Sequence, residues 1–145
     1  MKRACEANAT VLAFDFGTRR IGVAVGNTLM RTAHALATID AAREDARFAA
    51  IGALVDEWRP DRFVVGLPVH ADGTPHAMTQ RAREFAAELS RRFARPTALV
   101  DERHTSEVAR QALAASGRGG RESRSLRDQV AAQIILQAWF DAPHD

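Results

Sequence analysis

One cysteine, Cys5, stands alone in a polar amino-terminal stretch, so no internal disulfide can form and a reducing, cytoplasmic setting is expected. No run of residues is long and apolar enough to cross a bilayer, and residues 1–10 lack the apolar middle segment of a secretory signal. A soluble protein without a membrane partner is therefore expected. The five histidines show no metal-ligand spacing and have no second cysteine to join them, which argues against zinc. Neither a phosphate-cradling Walker loop nor a Ser-His-Asp arrangement can be traced. A formal charge of +2 is too small to demand a polyanionic partner by itself.

At 145 residues the chain can bury a core of its own, and one domain spanning 1–145 is expected, with 1–9 and 141–145 frayed. Almost all of its 20 basic residues are arginine, whose planar fork suits phosphate oxygens. Arginine content also follows genomic base composition, so the test is whether these residues cluster in space.

Apolar runs at Thr10–Phe16, Ile21–Gly26 and Ala33–Ile39, separated by Gly17-Thr18 and Asn27-Thr28, predict an antiparallel meander of three strands. Ala46, Ala50, Leu54 and Trp58 recur every four positions within 43–58 and predict an amphipathic helix closed by Pro60. Arg62–Leu67 reads as a strand covered on both faces. After the loop Pro68–Pro75, Thr74 can cap a helix lined by Met78, Ala82, Phe85, Leu89 and Phe93. A short strand at Thr97–Val100, a helix from Thr105 to about Ala115, a mobile glycine- and arginine-rich segment at 116–124 and a last helix at Ser125–Phe140 follow. In the last helix Val130, Ile134, Leu136 and Trp139 are expected to be buried. This order predicts an α/β fold: a mixed five-stranded sheet, three antiparallel strands then two parallel, with helices on both faces.

Three carboxylates stand out. Asp15 interrupts an apolar strand, where a charge costs several kcal/mol unless a cation compensates it; alternatively it accepts hydrogen bonds from the Gly17–Arg20 turn. Asp101 and Glu102 end the last strand, at the carboxyl edge where α/β sheets gather ligands, although Asp-Glu-Arg also makes an ordinary surface turn. Asp128 is spaced from Ser125 as in a capping box, yet it shares a helical face with Ala131, Ala132, Ile135 and Trp139, the side that packs on a sheet. If Asp15, Glu102 and Asp128 converge, they can hold two Mg²⁺ or Mn²⁺ ions about 4 Å apart, because hard cations prefer oxygen ligands.

Asp15-Phe16-Gly17-Thr18 with Ile21-Gly22-Val23-Ala24, Val65-Gly66-Leu67-Pro68 with Asp72-Gly73-Thr74, Asp101-Glu102-Arg103, and Asp128 with Ala131-Ala132 and Ile134-Ile135-Leu136 resemble the YqgF-type family. The resemblance runs from Val11 to Phe140. It implies a ribonuclease H-like fold, catalytic metal-binding roles for Asp15, Glu102 and Asp128, and processing of the 5′ end of precursor 16S rRNA, with DNA-junction cleavage as an older proposal for the family. The sequence departs from the family pattern at His70, at His104 and in the Glu107-Val108 order, which touches the substrate loops and leaves the triad intact.

Arg19 and Arg20 beside the first carboxylate, Arg103 after the second, and Arg118, Arg121, Arg124 and Arg127 around the glycine segment are expected to hold substrate phosphates. The expected partner is a nucleic acid, an rRNA precursor or a pre-ribosomal particle. Two other readings compete with a metal-dependent nuclease. A sugar-kinase-like ATP site would need two lobes, and this chain has residues for one. A ribosome-associated binding module would keep the acidic pocket without turnover.

Overall fold

Residues 8–68, 77–101 and 120–142 are described by the computed structural model, with the backbone alone at 120–123. Strands β1 (Thr10–Asp15), β2 (Arg20–Asn27) and β3 (His34–Asp40) form the expected antiparallel meander, with Asp15 opposite Gly22 and Arg20 opposite Asp40. Strands β4 (Arg62–Leu67) and β5 (Thr97–Asp101) add in parallel on the other side of β1, giving the order β3-β2-β1-β4-β5. Parallel neighbours require crossovers. Helix α1 (Glu44–Trp58) leads from β3 to β4, and helix α2 (Thr79–Phe93) leads from β4 to β5. Both helices end on a left-handed residue, Arg59 and Ala94, with Pro60 and Pro96 close behind to stop them. Helix α3 (Gly120–Asp141) closes the described fold. The helix expected at 105–115 lies outside the described residues.

Strand alternation divides the core in two. Leu12, Phe14, Ile21, Val23, Phe63 and Val65 face α1 and α2, where Phe48, Ile51, Val55, Phe85 and Leu89 meet them. Val11, Ala13, Ala24 and Val64 face α3, meeting Ala132, Ile135, Leu136 and Phe140. Helices on both faces of a mixed five-stranded sheet are thus observed as expected.

Three details correct the sequence reading. In α1 the buried face is Arg47, Phe48, Ile51 and Val55, whereas Ala46 is exposed, Ala50 and Leu54 are half-buried and Trp58 is 36% exposed. A strict spacing of four drifts round a helix of 3.6 residues per turn, while 48, 51 and 55 stay on one side. Helix α2 begins at Thr79, whose hydroxyl donates to the Pro68 carbonyl, with Met78 at its N-cap; Thr74 and Pro75, the expected cap and first turn, lie outside the described residues. Helix α3 begins at Gly120, not Ser125, and its deeply buried residues are Ala131, Ala132, Ile135, Leu136 and Phe140; Val130, Ile134 and Trp139 are half-buried.

Candidate active site

Asp15 is the last residue of β1. Because Phe14 points into the α1/α2 layer, alternation puts Asp15 on the α3 side with Val11 and Ala13, and it is half-buried there. Its partner across the ladder is Gly22. A Cβ on Gly22 would lie 1.9 Å from the backbone oxygen of Asp128 and 3.1 Å from its Cα, so Asp128 sits directly on the residue beside Asp15. Only glycine permits that approach. Two carboxylate residues far apart in the chain are thereby brought to one corner of the sheet.

Asp128 stands more than two turns inside α3, which removes the capping-box reading with Ser125. Its Oδ2 accepts a hydrogen bond of 2.6 Å from Arg20 Nε, and the two side chains are only 16% and 23% exposed. The start of α3 is pinned sideways as well. Thr38 on β3 donates its hydroxyl to the Ser125 carbonyl at 2.8 Å and accepts from Gln129 Nε2 at 3.2 Å. Asp128 is therefore held from below by β2 and from the side by β3.

On the opposite flank, the parallel register aligns Phe14 with Val65 and Val65 with Leu99, so β1, β4 and β5 end at one carboxyl edge. Asp101 is exposed at the end of β5. Glu102, the expected third member, lies outside the described residues, as do Arg103, His104, Arg118 and His70. For Arg121 only the helical backbone is described. Among the described residues no group of three Asp, Glu, His or Cys side chains comes together. Asp15 and Asp128, whose backbones are brought to one corner through Gly22, offer oxygen donors only, a chemistry that suits a hard dication better than zinc.

Arginine does cluster here. Arg19, Arg20 and Arg124, with Thr38, Asp40 and Ser125, line a cleft of about 460 Å³ against the Arg20–Asp128 pair. Arg127 is half-buried on the same turn of α3 as Asp128. Sequence reasoning missed Gly22 as a contact point, and Thr38 and Gln129 as the side clamp. The first was available as a signal, since Gly22, Ala24 and Gly26 alternate with Ile21, Val23 and Val25 and so mark a face of small residues. Behind Asp15, buried Arg47 donates to the carbonyls of Gly17 and Ala41 and lies 5.3 Å over the Phe16 ring, tying down the turn that leaves β1. Burial first, and then the Arg81 charge, hold its guanidinium pKa below the usual arginine range.

A family model described as RuvX, Holliday junction resolvase, matches residues 9–142. This chain belongs to the RuvX family. A relative from Dechloromonas aromatica (strain RCB), named "Putative pre-16S rRNA nuclease", is 56% identical over 93% of this chain and 92% of its own length. Among solved structures, the yeast mitochondrial Holliday junction resolvase Ydc2 superposes with a TM-score of 0.54 at 11% identity, covering 90% of this chain and 77% of that one. RuvC of T. thermophilus in complex with a Holliday junction substrate gives 0.50 at 17% identity, covering 91% and 93%. Those likenesses confirm the ribonuclease H-like fold expected of a RuvX-family sequence. Among the described residues no helix is long and apolar enough to cross a membrane.

Proposed function

We propose that this RuvX-family protein is a dication-dependent endonuclease that matures the 5′ end of precursor 16S rRNA in the cytoplasm. The observation that supports the reading is the approach of the Asp128 backbone to Gly22, the ladder partner of Asp15, which brings two carboxylate-bearing residues to the carboxyl edge of the sheet. Glu102, next in the chain after Asp101 at that edge, is the third ligand in this reading. Asp15, Glu102 and Asp128 would hold Mg²⁺ or Mn²⁺, two ions in the full site. Dications held there would supply activation of a water for in-line attack on phosphorus and stabilisation of the departing 3′ oxygen.

The protein's own contribution is placement and charge. Gly22 and Thr38 fix the helix that carries Asp128, Arg47 fixes the turn after Asp15, and Arg19 and Arg124 with Arg103, Arg118, Arg121 and Arg127 attract and orient the phosphate backbone. Water adds to phosphorus, the P–O3′ bond breaks, and the products carry a 5′ phosphate and a 3′ hydroxyl. A second reading, cleavage of four-way DNA junctions, is favoured by the description of the family model, whereas the name of the D. aromatica relative favours rRNA.

The test is cleavage of a 5′-extended 16S rRNA in pre-ribosomal particles, run beside a four-way DNA junction. Cleavage of the RNA is expected to need Mn²⁺ or Mg²⁺, to stop with chelator, and to vanish in Asp15→Asn while RNA binding stays within a few-fold. Chelator-resistant cleavage, or full activity in Asp15→Asn, rejects the metal-site assignment. Binding without turnover by the wild type makes the protein a binding module.

A further inference from the structure

The strongest described contact of Asp128 is to an arginine of its own chain. Arg20 Nε meets Asp128 Oδ2 at 2.6 Å, a charge-assisted bond between groups largely withdrawn from water, joining residues 108 positions apart. An oxygen that accepts so short a bond from a guanidinium cannot at the same time bind a dication along the same direction. Arg20 also lines the adjoining cleft with Arg19 and Arg124, where Asp40 is the one carboxylate among the described lining residues, so that even with Asp128 paired to Arg20 the guanidinium groups are in excess. A phosphate fits that excess of positive charge. The Arg20 side chain thus has two anions within its reach: the Asp128 carboxylate, and a nucleic-acid phosphate seated in the cleft.

We propose that Arg20 is a built-in counter-ion of Asp128 that a dication displaces, and that the displaced guanidinium then clamps a substrate phosphate in the Arg19–Arg20–Arg124 cleft. The inference rests on the metal-site reading above and adds to it a coupling between the two ligands. While Arg20 holds Asp128 it lowers dication affinity. A phosphate that draws Arg20 into the cleft restores that affinity, and by linkage a bound dication tightens phosphate binding by the same factor. The full site is then completed only when nucleic acid is present.

The test is Mn²⁺ binding to the full-length protein by calorimetry, alone and with a phosphorothioate oligoribonucleotide that resists cleavage. The wild type is expected to bind Mn²⁺ about fivefold or more tightly with the oligonucleotide than without, within the usual range of coupling between sites. Arg20→Gln is expected to bind Mn²⁺ about tenfold more tightly than wild type in the absence of nucleic acid and to lose the oligonucleotide effect. Equal or weaker Mn²⁺ binding by folded Arg20→Gln, in a wild type that binds Mn²⁺ well, overturns the counter-ion role alone. No Mn²⁺ uptake by either protein overturns it together with the metal site.

A metal-free double-mutant cycle gives a second arm. Asp128→Asn releases Arg20 and is expected to tighten oligonucleotide binding several-fold, and that gain is expected to disappear in the Arg20→Gln background. A gain of the same size in both backgrounds is a simple charge effect and rejects the proposal.

Discussion

Replacing Gly22 with alanine adds one methyl group at the point where strand and helix touch. The new Cβ would find the Asp128 oxygen at 1.9 Å, its carbonyl carbon at 2.4 Å and its Cα at 3.1 Å, all of them backbone atoms that no rotamer change can move. Ordinary contact begins near 3.4 Å, so the helix must retreat by about 1.5 Å at Asp128. Ala132 and Ile135 follow within two turns and would lose contact with Ala13, Ala24 and Val64. Overpacking of this kind costs about 3 kcal/mol, a large fraction of the stability of a domain this size. The same retreat moves the Asp128 carboxylate away from Asp15, and a misplacement of about 1 Å in a catalytic group costs on the order of 100-fold in rate. Urea denaturation and cleavage kinetics on the folded fraction separate the two effects. Gly22→Ala with wild-type stability and wild-type cleavage would refute both the close approach and the role assigned to Asp128.

Gly52 provides the contrast, since it lies mid-helix in α1 and among the described residues a Cβ there meets only Phe93 Cε1 at 3.9 Å. Gly52→Ala is expected to stabilise the protein by about 0.5–1 kcal/mol, read as a rise of a few degrees in Tm; a fall in Tm would contradict the packing described for that face. Arg47→Met leaves the carbonyls of Gly17 and Ala41 without their donor and is expected to cost about 2 kcal/mol in urea denaturation at unchanged slope. Arg47→Lys should recover only part of this, because an ammonium lacks the fork that reaches both oxygens, and full recovery would reduce Arg47 to a simple charge.

Much of this could be read from the chain because local patterns agreed with tertiary demands. Asp15 is conspicuous in an apolar strand, Phe63-Val64-Val65 is apolar on both faces as a parallel strand requires, and Asp128 lies on the stripe that contains Ala131, Ala132 and Ile135. Where the reading failed, packing overrode propensity. Gly120 to Arg124 read as a loop by composition but forms the first turns of α3, in a helix stabilised by its contacts with the sheet. In α1 an alanine row imitated a core stripe, while Phe48, Ile51 and Val55 bury far more apolar surface and decide the rotation. The Arg20–Asp128 bond had no local signature, since nothing in a linear pattern says which arginine will meet which carboxylate across 108 residues.

The two faces of the sheet divide stability from placement. Toward α1 and α2 the strands present Phe14 and Phe63, and Phe14 meets Phe63 and Phe85 with ring centres 5.8 Å apart in each pair, a thick aromatic layer that buries large area. Toward α3 they present Ala13, Gly22, Ala24 and Gly26, and at Gly26 a Cβ would strike the Phe140 ring at 2.9 Å. Small residues bury less area, so this face contributes less to stability per residue, but they let the helix backbone lie against the strand at Gly22 and the Phe140 ring against it at Gly26. That direct contact fixes the height of α3 over the sheet with little play. The turn of α3 that carries Asp128 then lies over Gly22, the ladder partner of Asp15, and Arg20 from β2 meets the Asp128 carboxylate at the edge of the cleft.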